Sequence, residues 1–337
     1  MKLLVLLWVF GMSCAGLQSG EAPFKSEYEL LRQLPPDLLG VITNTGHPDA
    51  QGYIGTHQKF GKWFESGMQR GGCWMLIGAV VAGDQAGADD AWRSIDTTFA
   101  HQVEDGGFLT VRKPEAMHEP TLPERVETAF FYLQELSHAL LVVEASPMEP
   151  HFHDRIETLL PKLRRAAAFI QRGYDGIILK AGHTANRMFI AAKAFGLCGL
   201  LLNDEQLKTS SRKLVAVAMA KRDSEGIFIE NSGRDSSYNA VSILMAQVLA
   251  LYLPDTELDQ ALARATAWER TRVLPTGEVD TRNNTRTGVG KEAFMGVPKG
   301  VNYREVVLAF AYYGMQHKDK QALEKAQLVT TWFAHPH

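Results

Sequence analysis

The sequence predicts an all-α fold: an α/α toroid, an incomplete barrel of helical hairpins with short β-hairpin-like loops at the cleft rim. Three observations predict it. Apolar residues recur at spacings of three and four along most of the chain, as in Leu244, Val248, Leu249, Leu251 and Tyr252. Strand-like alternation occurs only in short pieces. Short Gly-centred segments recur where helices end, at 105–109, 175–179, 225–229 and 276–279. Their glycines, Gly106, Gly176, Gly226 and Gly277, lie 70, 50 and 51 residues apart, room for two helices per interval. Glycine permits the positive φ of a helix C-cap, and the apolar residues after it can tuck into a rim.

Residues 1–20 read as an address. Lys2 precedes the apolar run from Leu3 to Phe10 and the small residues Ser13, Cys14, Ala15 and Gly16, the layout of a secretory signal. The run is too short to cross a bilayer as a mature helix, and no later segment reads as membrane-spanning. Cys14 offers lipidation as an alternative, although Gly11-Met12-Ser13 lacks the aliphatic residue expected three before the Cys. The chain is therefore expected to be exported, periplasmic or extracellular, with a lipid anchor as the variant. Residues 21–337 read as one domain, because no linker interrupts them.

The segment 35–55 is Pro/Gly-rich and reads as extended. Helices follow at 57–82, 86–104, 123–144, 152–172 and 183–202, then at 205–221, 235–252, 258–273, 303–313 and 320–333, each on the same three-and-four spacing. Asp235 or Ser236 can cap the helix it opens. Cys73 and Cys198 fall in apolar helical stretches, where a free Cys behaves as a small buried hydrophobe.

Composition narrows the function. The 337 residues are 45% apolar and 22% charged, with 35 Lys+Arg against 38 Asp+Glu and a net charge of −3. That balance disfavours a general nucleic-acid binder, and the apolar content disfavours disorder. Three cysteines are too few for a disulfide scaffold. There is no phosphate-binding Gly-Lys-Ser/Thr loop, dinucleotide fingerprint or Gly-x-Ser-x-Gly turn, so no cofactor is expected. His151 and His153 lack a third ligand at metal spacing, so no metal is expected.

Polar residues concentrate at 106–123, 180–187, 222–239 and 280–304, the loops a toroid would place around its cleft. In 222–242 a short extended piece ends at Glu230, and Tyr238 falls in the first turn of the next helix beside Asn239 and near Arg234. A helix N-terminus with an adjacent Arg favours anions, a sugar carboxylate or a phenolate among them. His183, Asn186 and Arg187 fall within one turn of another helix: a proton acceptor, a neutral donor and a planar fork for a carboxylate. Arg282, Arg286, Lys291, Lys299 and Arg304, with Tyr303, suit an anionic, hydroxyl-rich polymer. Trp63, Trp74 and Trp92 are either sugar-stacking platforms or core.

With His183…Asn186-Arg187 and Gly233-Arg-Asp-Ser-Ser-Tyr238 on helical hairpins, the chain resembles the α/α-toroid polysaccharide lyases, most of all polysaccharide lyase family 38, which acts on uronate polymers such as alginate and glucuronan. The resemblance implies β-elimination on an acidic polysaccharide. Tyr238 would be the acid, either Tyr238 or His183 would be the base, with His183 otherwise assisting the tyrosine, and Asn186, Arg187 and Arg234 would offset the C6 carboxylate. Related toroid lyases often carry an Asn-His pair, whereas here the order is His183-Thr-Ala-Asn186. Arg187, Glu230, Asn239, Arg282, Arg286, Lys299, Tyr303 and Arg304 would contact substrate. Two rivals remain. A glycoside hydrolase on this scaffold would use paired carboxyls, Glu230 and Asp235 with Glu104 or Asp105. A non-catalytic binder of acidic glycans would need neither His183 nor Tyr238.

Overall fold

The structure, a computed structural model, describes residues 24–55, 64–111, 118–294 and 296–335. The signal at 1–20, Cys14, the start of the helix expected from residue 57, and Trp63 lie outside them. The elements are α1 (Glu27–Arg32), α2 (Pro36–Thr43), a 3-10 turn (Ser66–Arg70), α3 (Gly71–Ala82), α4 (Gln85–Ala100), α5 (Leu122–Glu144) and α6 (Glu149–Arg172). They continue with α7 (Tyr174–Ala181), α8 (Ala185–Leu201), α9 (Glu205–Met219), α10 (Ser236–Tyr252), α11 (Thr256–Arg272), the two-residue strands β1 (Ala293–Phe294) and β2 (Val297–Pro298), α12 (Tyr303–His317) and α13 (Lys320–Ala334). β1 and β2 pair antiparallel as one small hairpin.

The helices pack as hairpins: α3 with α4, α5 with α6, α8 with α9, α10 with α11 and α12 with α13. Contacts between hairpins run α3 to α5, α5 to α8, α8 to α10 and α10 to α12, and α2 touches both α12 and α3, closing the ring. Sequence sets which helix goes inside. α8 and α10 are buried on nearly every side, as a helix apolar all round must be. α6 instead buries only a stripe, with Phe152, Ile156, Leu159, Leu163 and Phe169 facing inward.

The corner between inner and outer helix recurs. Gly83, Asn203 and Lys318 adopt φ of 76°, 48° and 53°, and an Asp follows each: Asp84, Asp204 and Asp319. That Asp caps the outer helix by accepting one of its first backbone N–H groups. The opposite connections also repeat. Gly106, Gly226 and Gly277 sit at φ of 88°, 86° and 91°, inside turns closed by the bridges Gln102–Phe108, Arg222–Phe228 and Val273–Val279. The residue two beyond each glycine, Phe108, Phe228 or Val279, is buried. Only glycine serves there: a side chain on Gly277 would meet the Leu328 carbonyl oxygen at 2.1 Å.

The fourth Gly-centred segment departs from this pattern. Gly176 lies inside α7, with Asp175 in the helix's first turn, where an acid favours helix over turn. The segment expected to be extended, 35–55, contains α2, which starts on Pro36 in the first helical position and buries Leu38 and Ile42. Nor does the periodicity reveal α1, whose six residues are too few for it. α1 nevertheless plugs one end of the ring: Leu30 and Leu31 are fully buried, and so is the Glu27 side chain. His138 of α5 donates to Glu27 at 2.6 Å, Tyr252 of α10 at 2.7 Å, and Tyr312 of α12 also donates. Cys73 and Cys198 are free and buried.

Candidate active site

The other end of the ring is open. A cleft of about 570 Å³ lies where the inner helices begin. Arg70 lines it ahead of α3, Glu127 and Phe131 from the first half of α5, Arg187 from α8, Tyr238 from α10 and Asn302 ahead of α12; Lys180 of α7 and Lys299 complete one side. Several helix N-termini thus converge on one space, a field that favours an anion.

Tyr238 is the best-supported side chain there. The buried carboxylate of Asp235 accepts Tyr238 N–H at 3.1 Å, capping α10, and its other oxygen accepts the N–H groups of Arg286 and Thr287 at 2.8 Å each. One carboxylate therefore fixes both the tyrosine's helix and the loop opposite. That loop lays the Arg286 guanidinium against the ring, its Cζ 3.9 Å from the Tyr238 centroid. Arg286 is itself clamped by Glu230 at 2.9 Å and by Glu292 at 3.1 Å. Glu292 also holds Lys299 at 2.5 Å, and the Lys299 ammonium lies 5.8 Å from the same ring.

Glu230 is fully buried. One oxygen accepts Asn186 N–H at 2.8 Å and the other faces Arg286. Burial pushes its carboxyl up to about 7, with Asn186 and Arg286 opposing. It ties α8 to the Arg286 loop and presents nothing to the cleft. Asp235 is likewise buried and occupied, and Asp105 is held by Arg125. Of the carboxyls in the hydrolase reading, Glu230 and Asp235 are thus used as structure, while Glu104 and Asp105 are exposed and do not line the cleft.

The remaining residues divide by burial and partner. Of the residues expected to contact substrate, Tyr238, Arg187 and Lys299 line the cleft together. Asn186 and Asn239 do not reach it: Asn186 Oδ1 accepts Arg187 N–H at 2.8 Å, and Asn239 is buried against Glu269 at 2.7 Å. Asn239 thereby faces α11, while the Asn186 amide turns back onto its own helix. Arg234 is held by Asp223 at 2.6 Å and Glu225 at 2.8 Å, over Trp268. Arg282 is exposed and bound by both oxygens of Asp280, whose carboxyl is held down at about 2, chiefly by that bond. Tyr303 stacks on Phe333 and accepts from Trp332. His183 is exposed in the turn before α8, and Lys291 is exposed in its loop; neither lines the cleft.

His151 pairs with Asp89 and His153 with Glu149. Among the described residues no cluster of His, Cys, Asp and Glu could hold a metal ion. Trp92 is core, stacked on Phe152. Trp74 faces the ring interior with Arg304 over it. Sequence reasoning missed Arg70, Glu127 and Lys180; Arg70 was findable, because it stands four residues before Trp74 at a helix entrance.

No family model matches the chain and no curated protein matches it, so the resemblance to polysaccharide lyase family 38 rests on the motifs alone. Among solved structures the chain is similar to one described as a novel alpha-amylase from Clostridium perfringens. The identity is 14% and the TM-score 0.46, over 90% of this chain and 86% of that one. A likeness of that degree carries no inference about activity.

Proposed function

We propose that the protein is a polysaccharide lyase that cleaves a uronate-containing polymer, of alginate or glucuronan type, by β-elimination at this cleft. The observation that carries the reading is Tyr238 in the cleft with the Arg286 guanidinium 3.9 Å from its ring. Positive charge against the ring stabilises the negative charge a phenol carries when it acts as a base.

In the reaction Tyr238 removes the C5 proton of a uronate. The electron pair left on C5 delocalises into the C6 carboxylate and then forms the C4–C5 double bond as the C4–O bond breaks. The departing oxygen takes the proton back from Tyr238. Because His183 does not line the cleft, the tyrosine is assigned both steps, which requires proton and leaving group on the same face. Cations facing the C6 carboxylate lower the barrier by stabilising the enolate. Arg187 and Lys299 supply charge at the cleft wall, and the polymer is the partner that charge invites.

The test is ultraviolet absorbance of the protein incubated with mannuronate, guluronate and glucuronate polymers. A rise from the C4–C5 double bond is expected with at least one of them. New reducing ends without that rise would assign hydrolysis instead and direct the search to the cleft carboxylates Glu124 and Glu127. Binding without cleavage would assign a glycan-binding protein.

A further inference from the structure

Positive charge in the ring falls into two sets. Lys180 is held by Glu127 at 2.9 Å, Arg187 by Glu127 at 3.4 Å, Lys299 by Glu292, and Arg286 by Glu230 and Glu292. Arg70 and Arg304 have no ion pair among the described residues. Both lie against one indole: Arg304 Cζ is 4.7 Å and Arg70 Cζ 5.6 Å from the Trp74 ring. Arg70 spends one N–H on the Gly67 carbonyl at 2.5 Å and another on Met68 Sδ.

These three residues mark a junction. Arg70 lines the cleft, whereas Trp74 and Arg304 line a second space deeper on the ring axis. Each inner helix contributes to both spaces at different depths, Phe131 then Glu135 on α5 and Tyr238 then Leu244 on α10, so the second space lies beneath the first. It offers water about 40 Å³, room for two or three molecules or one carboxylate, and not for a sugar ring.

A guanidinium drawn out of water without an acid beside it is costly, and burial lowers the Arg304 pKa from its ordinary value. Glu305 is coupled by charge to both arginines without an ion pair to either among the described residues, and burial raises its carboxyl pKa. Glu135 is occupied by Lys193 and His138. A ligand carboxylate would give both arginines the close acid they lack. A carboxylate is small enough for this space and fits both forks.

We propose that Arg70, Trp74 and Arg304 form a subsite for one acidic sugar on the ring axis. The sugar ring would sit in the cleft beside Arg70, and its carboxylate would reach down between the two guanidiniums into the space that Trp74 lines. This deepens the lyase reading and rests on it for the polymer. It gives the site a reason to reject neutral hexoses, which would leave both arginines unpaired.

The test is titration of the intact protein with sodium glucuronate, and with glucose as the neutral control, followed by calorimetry and tryptophan emission. Glucuronate is expected to bind with a change in emission, while glucose gives none up to about 50 mM. Trp74→Phe should remove the emission change, and Arg304→Met should weaken binding at least about tenfold, with Arg304→Lys recovering part of the loss. Circular dichroism of each variant checks that it is folded. Glucose binding as well as glucuronate, no glucuronate binding to the unaltered protein, or unchanged binding in folded Arg304→Met and Trp74→Phe would each overturn the subsite. Elimination assayed on the same variants separates the two readings. Elimination with an unchanged KM in Arg304→Met would overturn the subsite and leave the lyase. Glucuronate bound through Trp74 and Arg304, with no elimination from any uronate polymer, would keep the subsite and overturn the lyase.

Discussion

At the closed end of the ring, Glu27 is buried with His138, Tyr252 and Tyr312 donating to it, while Lys193 and His138 hold Glu135 one turn away. Toward the open end, Arg70 in the cleft and Arg304 beneath it have no ion pair among the described residues, and Tyr238 lines the cleft. The two ends use the same residue types at opposite degrees of satisfaction. Buried charge that is fully paired holds helices together and offers nothing to a ligand. Charge left unpaired in a sheltered space is where a ligand's own charge is worth most.

Substitutions at the two ends should therefore fail differently. Tyr238→Phe should cut elimination by about 10⁴-fold or more with KM within about threefold, since the ring and its packing stay while the proton carrier is lost. Normal turnover by that variant would remove Tyr238 from the chemistry. At the closed end, Glu27→Gln should lower unfolding free energy by about 3–5 kcal/mol in urea, because it breaks a buried charged network, with turnover per folded molecule unchanged. A stable variant with impaired turnover would show that the plug takes part in function.

Arg286→Met should reduce kcat about 10²-fold and move the pH profile of kcat, as expected for a cation that stabilises developing charge. An unchanged profile would make Arg286 a packing residue only.

A smaller effect separates pairing from burial alone. Glu269 is fully buried and bonded to Asn239, and burial raises its carboxyl to about 8. The folded state therefore holds this proton more tightly than the unfolded state, whose value is about 4.5. Its contribution to stability is complete below pH 4.5 and is lost as the pH rises toward 8. In a Tm series across that window, Glu269→Gln should flatten the decline, and an unaltered slope would assign the proton elsewhere. The smallest change is expected from Arg282→Ala. Exposed and paired with Asp280, Arg282 should alter KM by less than about twofold.

Much of the fold was legible in the chain. Three-and-four spacing located every long helix, because inner helices must be apolar all round and outer helices on one stripe. The glycine turns at 106, 226 and 277 were legible because their backbone tolerates no side chain. Gly176 showed the limit of that signal, since a glycine inside a helix looks the same in sequence. The corners at Gly83, Asn203 and Lys318, each followed by a capping Asp, were available too, but only as a pattern of backbone angle plus cap. α1 and α2 were too short for periodicity, and contacts far along the chain decide their importance.

The candidate site was half legible. Tyr238, Arg187 and Lys299, which line the cleft, were singled out as polar residues at helix mouths or in the adjoining loop. The same reasoning selected Asn186, Glu230 and Asn239, which the fold buries, because a loop end or first helical turn meets neighbouring elements as well as the cleft. By itself, then, the sequence determined which long segments are helices, where three of the turns need glycine, and that polar groups would gather in the loops of one end. These are local consequences of periodicity and backbone sterics. Only the tertiary structure decided which charges are paired. Pairing joins residues as distant as Glu230 and Arg286 or Glu27 and Tyr312. A carboxylate's partner depends on which side chains the ring brings within about 3 Å, a distance that residue order does not encode.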